Sequence, residues 1–169
     1  KKGNVLTLFK NSALVSFNGL LTLREIKILN FLIYNSIVLK KDSIHLKDIK
    51  KFLKITYQQN KQIKEDLLSF GKKLIKIDYL NKTKKHSFDK EYLFSSLSVN
   101  IKNIVSFEFS DFLKHFLFEK NGLPFYKIDL SIIQNIKNKH VLTFIELIED
   151  YSFKHNKKTP RIVSEFFIL

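Results

Sequence analysis

An α+β domain, mostly helical, is the fold class that this 169-residue chain predicts. Three features predict it. Apolar residues recur at helical spacing over 23–36, 46–53, 57–75 and 140–153. Alternating, β-favouring runs fall between 76 and 109. The 44% hydrophobic content, with only four Gly and two Pro, is that of a globular chain and excludes a collagen-like or linker-like one. Length alone gives one domain or two small ones, and a chain of this size buries about 70% of its surface without a staple. The absence of Cys excludes a disulfide framework and a thiolate metal site. No apolar run approaches the ~18 residues that span a bilayer, so a cytoplasmic location and no membrane partner are expected.

Asn4–Phe9 is a short apolar-rich stretch that reads as a strand or a docking arm. Thr22 and Glu25 then have capping-box spacing, so a helix starts at Leu23. Its inward stripe is Ile26, Leu29, Leu32 and Ile33, and Ile28 and Phe31 make it apolar on most sides. Lys40–Ser43 is a basic loop. Leu46–Leu53 is a short helix with Leu46, Ile49, Phe52 and Leu53 inward. Tyr57–Ile75 is a longer one, with Ile63, Leu67, Phe70 and Leu74 on its apolar face.

Lys76–Tyr79 begins a return strand, Asn81–Lys85 is a turn, and Phe88, Tyr92, Phe94, Val99, Ile101, Val105, Phe107 and Phe109 belong to two or three strands. Ser110 or Asp111 caps a helix over Phe112–Phe118 that stops at Asn121-Gly122-Leu123-Pro124. Asp129 or Ser131 opens a short helix to Ile136, and Asn138 caps a longer one over His140–Phe153, with Val141, Phe144, Ile145 and Ile148 inward. Thr159-Pro160 has the form of an N-cap and first turn. Helix, short helix, long helix and hairpin, in that order, make a winged helix. In that fold the second helix of a helix-turn-helix enters the major groove and the hairpin wing lies along the backbone.

Residues 1–90 hold 20 Lys and Arg against 7 Asp and Glu, and residues 91–169 hold 10 against 9, so nearly all of the +14 charge lies in the first half. Lys outnumbers Arg 28 to 2, which points to an A/T-rich coding genome. Codon bias acts on both halves alike, however, and leaves the asymmetry unexplained. A one-sided basic surface is the footprint of a polyanion binder; nucleic acid is the polyanion expected here, ahead of an anionic membrane surface or an acidic protein partner. With no Met and Lys at position 1, the chain is expected to be a fragment.

Catalytic motifs are missing. Gly3, Gly19, Gly71 and Gly122 are isolated, so neither phosphate-cradling loop is present. The five His form no metal-ligand spacing, and Glu108/Asp111 and Glu146/Glu149/Asp150 read as a capping carboxylate and a solvated helix face. No enzyme activity, cofactor or metal is expected.

The candidate DNA surface has three parts. Gln58, Gln59, Asn60, Lys61, Gln62 and Lys64 open the candidate recognition helix, where amides pair with adenine and Lys with guanine or phosphate. Lys47, Lys50, Lys51 and Lys54 lie on the outer face of the positioning helix and meet phosphates. Lys82, Lys84, Lys85 and His86 fall on the predicted wing. The Phe107, Phe109, Phe112, Phe116 and Phe118 stripe is core.

Several segments resemble the plasmid replication initiator (Rep) proteins of iteron plasmids. Asn4-Val5-Leu6 and Leu21–Leu29 look like the family's first segment and helix, and Leu46–Leu53 like its positioning helix. Val105–Ser110 resembles the strand that runs into the next helix, and Phe125–Ile128 with Ile145–Ile148 the family's Tyr-x-Leu … Leu-Tyr-Glu-Leu-Leu stretch. The resemblance implies tandem winged-helix domains, binding to origin repeats as monomers, autorepression as a homodimer, and host replication proteins such as helicase as partners. It makes 1–158 the N-terminal DNA-binding and dimerisation domain and 159–169 the start of a second. Two rivals are a winged-helix transcriptional regulator and a protein–protein dimerisation domain with an incidental basic face.

Overall fold

In a computed structural model of the chain, residues 6–76, 90–118 and 125–154 are described. Strand β1 (Thr7–Asn11) leads through a 3-10 helix (Ser12–Gly19) into α1 (Leu23–Ile37). Strand β2 (Ser43–His45), α2 (Leu46–Phe52), α3 (Asn60–Gly71) and β3 (Leu74–Lys76) follow. Then come β4 (Lys90–Tyr92), β5 (Phe94–Val99), β6 (Ile104–Phe109) and α4 (Asp111–Phe118). The described chain closes with β7 (Phe125–Asp129), α5 (Leu130–Asn135) and α6 (Lys139–Lys154). These elements form two compact units, one of 1–34 with 120–169 and the other of 35–119.

The first unit is tied by an antiparallel pair, β1 with β7, in the register Thr7↔Asp129 to Asn11↔Phe125. Leu8 and Lys10 of β1 share a buried face, opposite Ile128 and Tyr126. The capping box of α1 forms as read: Glu25 N–H donates to Thr22 Oγ1 (3.2 Å) and Thr22 N–H to Glu25 Oε1 (2.9 Å). All four stripe residues of α1 are buried, and so are Ile28 and Tyr34. Asp129 caps α5 through Ser131 N–H, and Asn138 caps α6 through His140 N–H at 2.8 Å.

The rotation of α6 corrects the sequence reading. Phe144, expected inward, is half-exposed, while Glu146 and Asp150, expected on a solvated face, are buried. Lys10 pairs with Glu146 Oε1, Asn18 Nδ2 donates to Glu146 Oε2, and Ser12 Oγ donates to Asp150. Partners from β1 and the 3-10 helix thus satisfy the two carboxylates that α6 turns inward. Burial first, and the neighbouring Glu146 charge second, hold the Tyr126 phenol well above the usual tyrosine range.

The second unit is built on a three-stranded antiparallel sheet in the order β2-β6-β5. Its strands alternate: Val105, Phe107 and Phe109 face the core while Ser106 and Glu108 face out. Phe94 stacks edge-on to Phe70 of α3 at 5.3 Å and lies 5.6 Å from Phe109, fixing α3 on the sheet. Helix α3 ends earlier than read, at Gly71, whose missing Cβ would stand 3.1 Å from Leu97 Cβ. Leu74, expected on the apolar helical face, is instead a half-exposed strand residue, and the buried one is Ile75. Ser110, rather than Asp111, caps α4 through Leu113 N–H (3.2 Å), leaving Glu108 to pair with Lys114. No helix among the described residues is long and apolar enough to cross a membrane.

Candidate nucleic-acid interface

A helix-turn-helix is assembled in 46–71 by local chemistry. His45 Nδ1 accepts the N–H of Lys47 (3.1 Å) at the start of α2. At its end, Lys54 turns left-handed (φ 57°), and two bonds close the helix: Lys54 N–H to Lys51 O (3.1 Å) and Ile55 N–H to Lys50 O (2.9 Å). This is the Schellman pattern, completed by burial of Ile55. Gln58 N–H then bonds Ile55 O at 3.0 Å, and Lys50 Nζ reaches across to Asn60 Oδ1 (3.0 Å), joining α2 to the first residue of α3.

Burial of Ile63, Leu67 and Phe70 sets which face of α3 is free. Diametrically opposite stand Lys61, Glu65, Leu68 and Ser69, all exposed. Of the amide run, Gln59, Asn60 and Gln62 are exposed, but Gln58 is half-buried with its side-chain oxygen shielded from solvent, and Lys64 is half-buried too. On α2, Lys47 and Lys51 are exposed, whereas Lys50 is half-buried and spends its ammonium on Asn60. The amides and the α2 lysines are therefore joined in one structure, with Gln58 and Lys50 serving the turn. Lys82, Lys84, Lys85 and His86 lie outside the described residues.

The strand order shows two antiparallel pairs after α3, where the sequence reading has one wing. Sequence reading put the wing at 81–85, between what are now β3 and β4. Among the described residues those two pair only with each other, from Leu74↔Tyr92 to Lys76↔Lys90. The hairpin that joins β2 in the sheet is β5–β6, and its turn is Asn100–Asn103. Ile101, expected in a strand, sits in that turn. Ile101 and Tyr57, the latter 80% exposed in the turn between α2 and α3, are displayed residues that the sequence reading did not place at the interface. The signal for Ile101 was its pair of flanking asparagines, which favour turns. Tyr57 had none beyond standing outside both helical stripes.

Charge follows the units differently from the chain halves. The second unit holds 17 Lys against 10 Asp and Glu, and the first 13 Lys and Arg against 6, so each carries +7. What concentrates is local: 40–64 carries eight Lys against two Asp. Among the described residues no cluster of three His, Asp or Glu could hold a metal ion.

Residues 7–149 match the sequence model of the family described as "Initiator Replication protein, WH1". The chain belongs to that initiator replication family. The WH1 match takes in both units and most of the described residues, and it bears out the resemblance read in Leu21–Leu29, Leu46–Leu53 and Val105–Ser110. Among solved structures, WH1 of this chain is similar to the Pi initiator protein crystallised in complex with iteron DNA. The TM-score is 0.62 at 13% identity, over 88% of this chain and 65% of that one, a likeness of fold. The chain thus spans about two thirds of the length of that initiator. No curated protein sequence matches.

Proposed function

We propose that this WH1 module binds double-stranded DNA at the repeats of a plasmid replication origin, as part of a replication initiator. The observation that carries the reading is the lysine-rich helix-turn-helix of 46–71 in a member of the initiator family. Exposed Lys47, Lys51 and Lys61 neutralise phosphates, and Gln59, Asn60 and Gln62 face base edges from the start of α3. The solved relative, itself bound to iteron DNA, supports the same target class. The module acts in the cytoplasm by binding, with no reaction of its own. A homodimer serves autorepression, and host proteins such as the helicase supply the chemistry of replication.

Fluorescence anisotropy of a labelled duplex between about 50 and 200 mM salt tests the DNA reading. Binding is expected to weaken steeply with salt. Changing Lys47, Lys51 and Lys61 to Ala flattens the log–log slope by about 0.9 for each phosphate contact removed. Absence of binding at the lowest salt overturns the proposal. Light scattering over a dilution series tests the homodimer, and a monomer at every concentration removes that part alone.

A further inference from the structure

The turn between β5 and β6 is held by more bonds than closing a hairpin requires. Asn103 N–H donates to Asn100 O and Asn100 N–H to Ile104 O, both at 3.0 Å. Asn100 Oδ1 accepts a further pair, from the N–H groups of Lys102 and Ile104, both at 2.9 Å. Asn103 takes the left-handed conformation (φ 59°) that ends a three-residue hairpin loop. Its carbonyl accepts Leu46 N–H at 2.8 Å, which anchors the turn to the first residue of α2.

On this fixed apex stands Ile101, 95% exposed. Every other exposed aliphatic side chain described in 35–119 keeps more than half of its surface covered. An aliphatic group adds nothing to the turn, whose positions favour residues that bond the backbone or accept positive φ. It gains nothing from packing either, so its apolar surface is available to a partner. The neighbours indicate which one. Lys102 follows it in the turn, and the element bonded to the turn carries Lys47 and Lys51. An apolar point among lysines suits a groove with phosphate edges and an apolar floor.

We propose that Ile101 is an apolar wedge that the β5–β6 hairpin carries into the DNA minor groove, entering a flexible pyrimidine–purine step while Lys102 and Lys47 meet the flanking phosphates. The inference rests on the DNA-binding reading above and adds a residue and a groove to it. Apolar side chains unstack such steps when a rigid support presents them, and TA and CA steps yield most readily. The doubly bonded asparagine turn is such a support.

The test uses the whole chain as wild type, Ile101→Asn and Ile101→Phe. Each is titrated into a duplex of TA steps with 2-aminopurine at one step, and into a G·C duplex. Wild type is expected to brighten 2-aminopurine and to prefer the TA duplex. Ile101→Asn, a substitution that suits the turn and leaves the melting temperature unchanged, binds the TA duplex about tenfold more weakly, by the apolar burial it forgoes. It gives no brightening, and its salt slope stays that of wild type because no charge is removed. Ile101→Phe retains the brightening. If Ile101→Asn matches wild type in affinity and brightening on DNA that both bind, the wedge is overturned and the DNA reading stands. If wild type binds neither duplex, the DNA reading falls and the wedge with it. If Ile101→Asn alters self-association in light scattering and leaves DNA binding intact, Ile101 is a protein contact, which also overturns the wedge.

Discussion

Lys10 is only 3% exposed, closed in the unit of 1–34 and 120–169 against a Glu146 with no exposed surface. Lys47, Lys51 and Lys61 of the other unit stand in solvent. The contrast extends beyond lysine. Lys10, Asn11, Asn18, Asn30, Glu146, Asp150 and Ser152 are all buried in the first unit. Among the described residues of the second, Asn35 alone is a buried polar residue. A buried pair must recover the desolvation of two ions, so its geometry is specified and neither partner is dispensable. Exposed lysines contribute almost nothing to folding, which leaves them free to be selected for a polyanion. The first unit uses charge to define its own structure, and the second holds charge outward on an apolar frame.

The comparison breaks most visibly at Glu146. Glu146→Ala leaves Lys10 buried without its counter-ion and is expected to cost about 3–5 kcal/mol in urea unfolding. The double variant Lys10→Met, Glu146→Leu regains most of that; failure to do so would mean that the hydrogen bond from Asn18, and not the ion pair, holds the site. In the second unit the largest effect comes from packing instead. Gly71→Val drives a side chain against Leu97 and costs about 1–3 kcal/mol by the same measurement.

Next comes an alkaline limb. The folded-state pKa of Tyr126 is raised, so the folded protein keeps the phenol neutral while the unfolded chain ionises above about pH 10. Its contribution is fully present below that pH and is lost as pH rises toward the folded pKa, by about 1.4 kcal/mol for each unit. Tyr126→Phe should remove that part of the decline in a pH series of melting temperatures. Lys54→Gly, relieving a left-handed lysine, should stabilise by about 1 kcal/mol. The smallest effect sharpens the contrast most. Lys47, Lys51 and Lys61 changed together to Ala should shift stability by no more than about 0.5 kcal/mol while abolishing most DNA affinity. A large loss of stability would show that these side chains do structural work.

What the sequence disclosed was what neighbouring residues determine. The Thr22–Glu25 box and the Asn138 cap depend on contacts within four residues and formed as read. Three of the four α2 stripe residues, Leu46, Ile49 and Phe52, are buried, while Leu53 is half-buried at the C-cap. The three-residue strand β2 exists only because β6 lies alongside it, some sixty residues later, and Lys40–Ser43 therefore looked like plain loop. The face of α6 was misjudged for the same reason. Periodicity favours burying Phe144, but Lys10 and Asn18 offer Glu146 partners more than 120 residues away, and no local window contains them. At the interface, residue type located the helix-turn-helix, while only the fold separated Gln59 and Lys61 from Gln58 and Lys50. The basic first half was real as arithmetic and misleading as geography, since the chain crosses between units.

The pairing of β1 with β7 has a consequence for how the protein is made. Residues 7–11 have no strand partner until 125–129 leave the ribosome, and Lys10 waits longer still for Glu146. All of 35–119 is synthesised in that interval, with its sheet complete once β6 appears. Vectorial synthesis therefore orders the two units: that of 35–119, with the helix-turn-helix, matures first, while the segment that precedes it is held open. Contacts of such long separation are slow to close. During translation, the exposed surfaces of 6–34 are the stretch most in need of protection from aggregation.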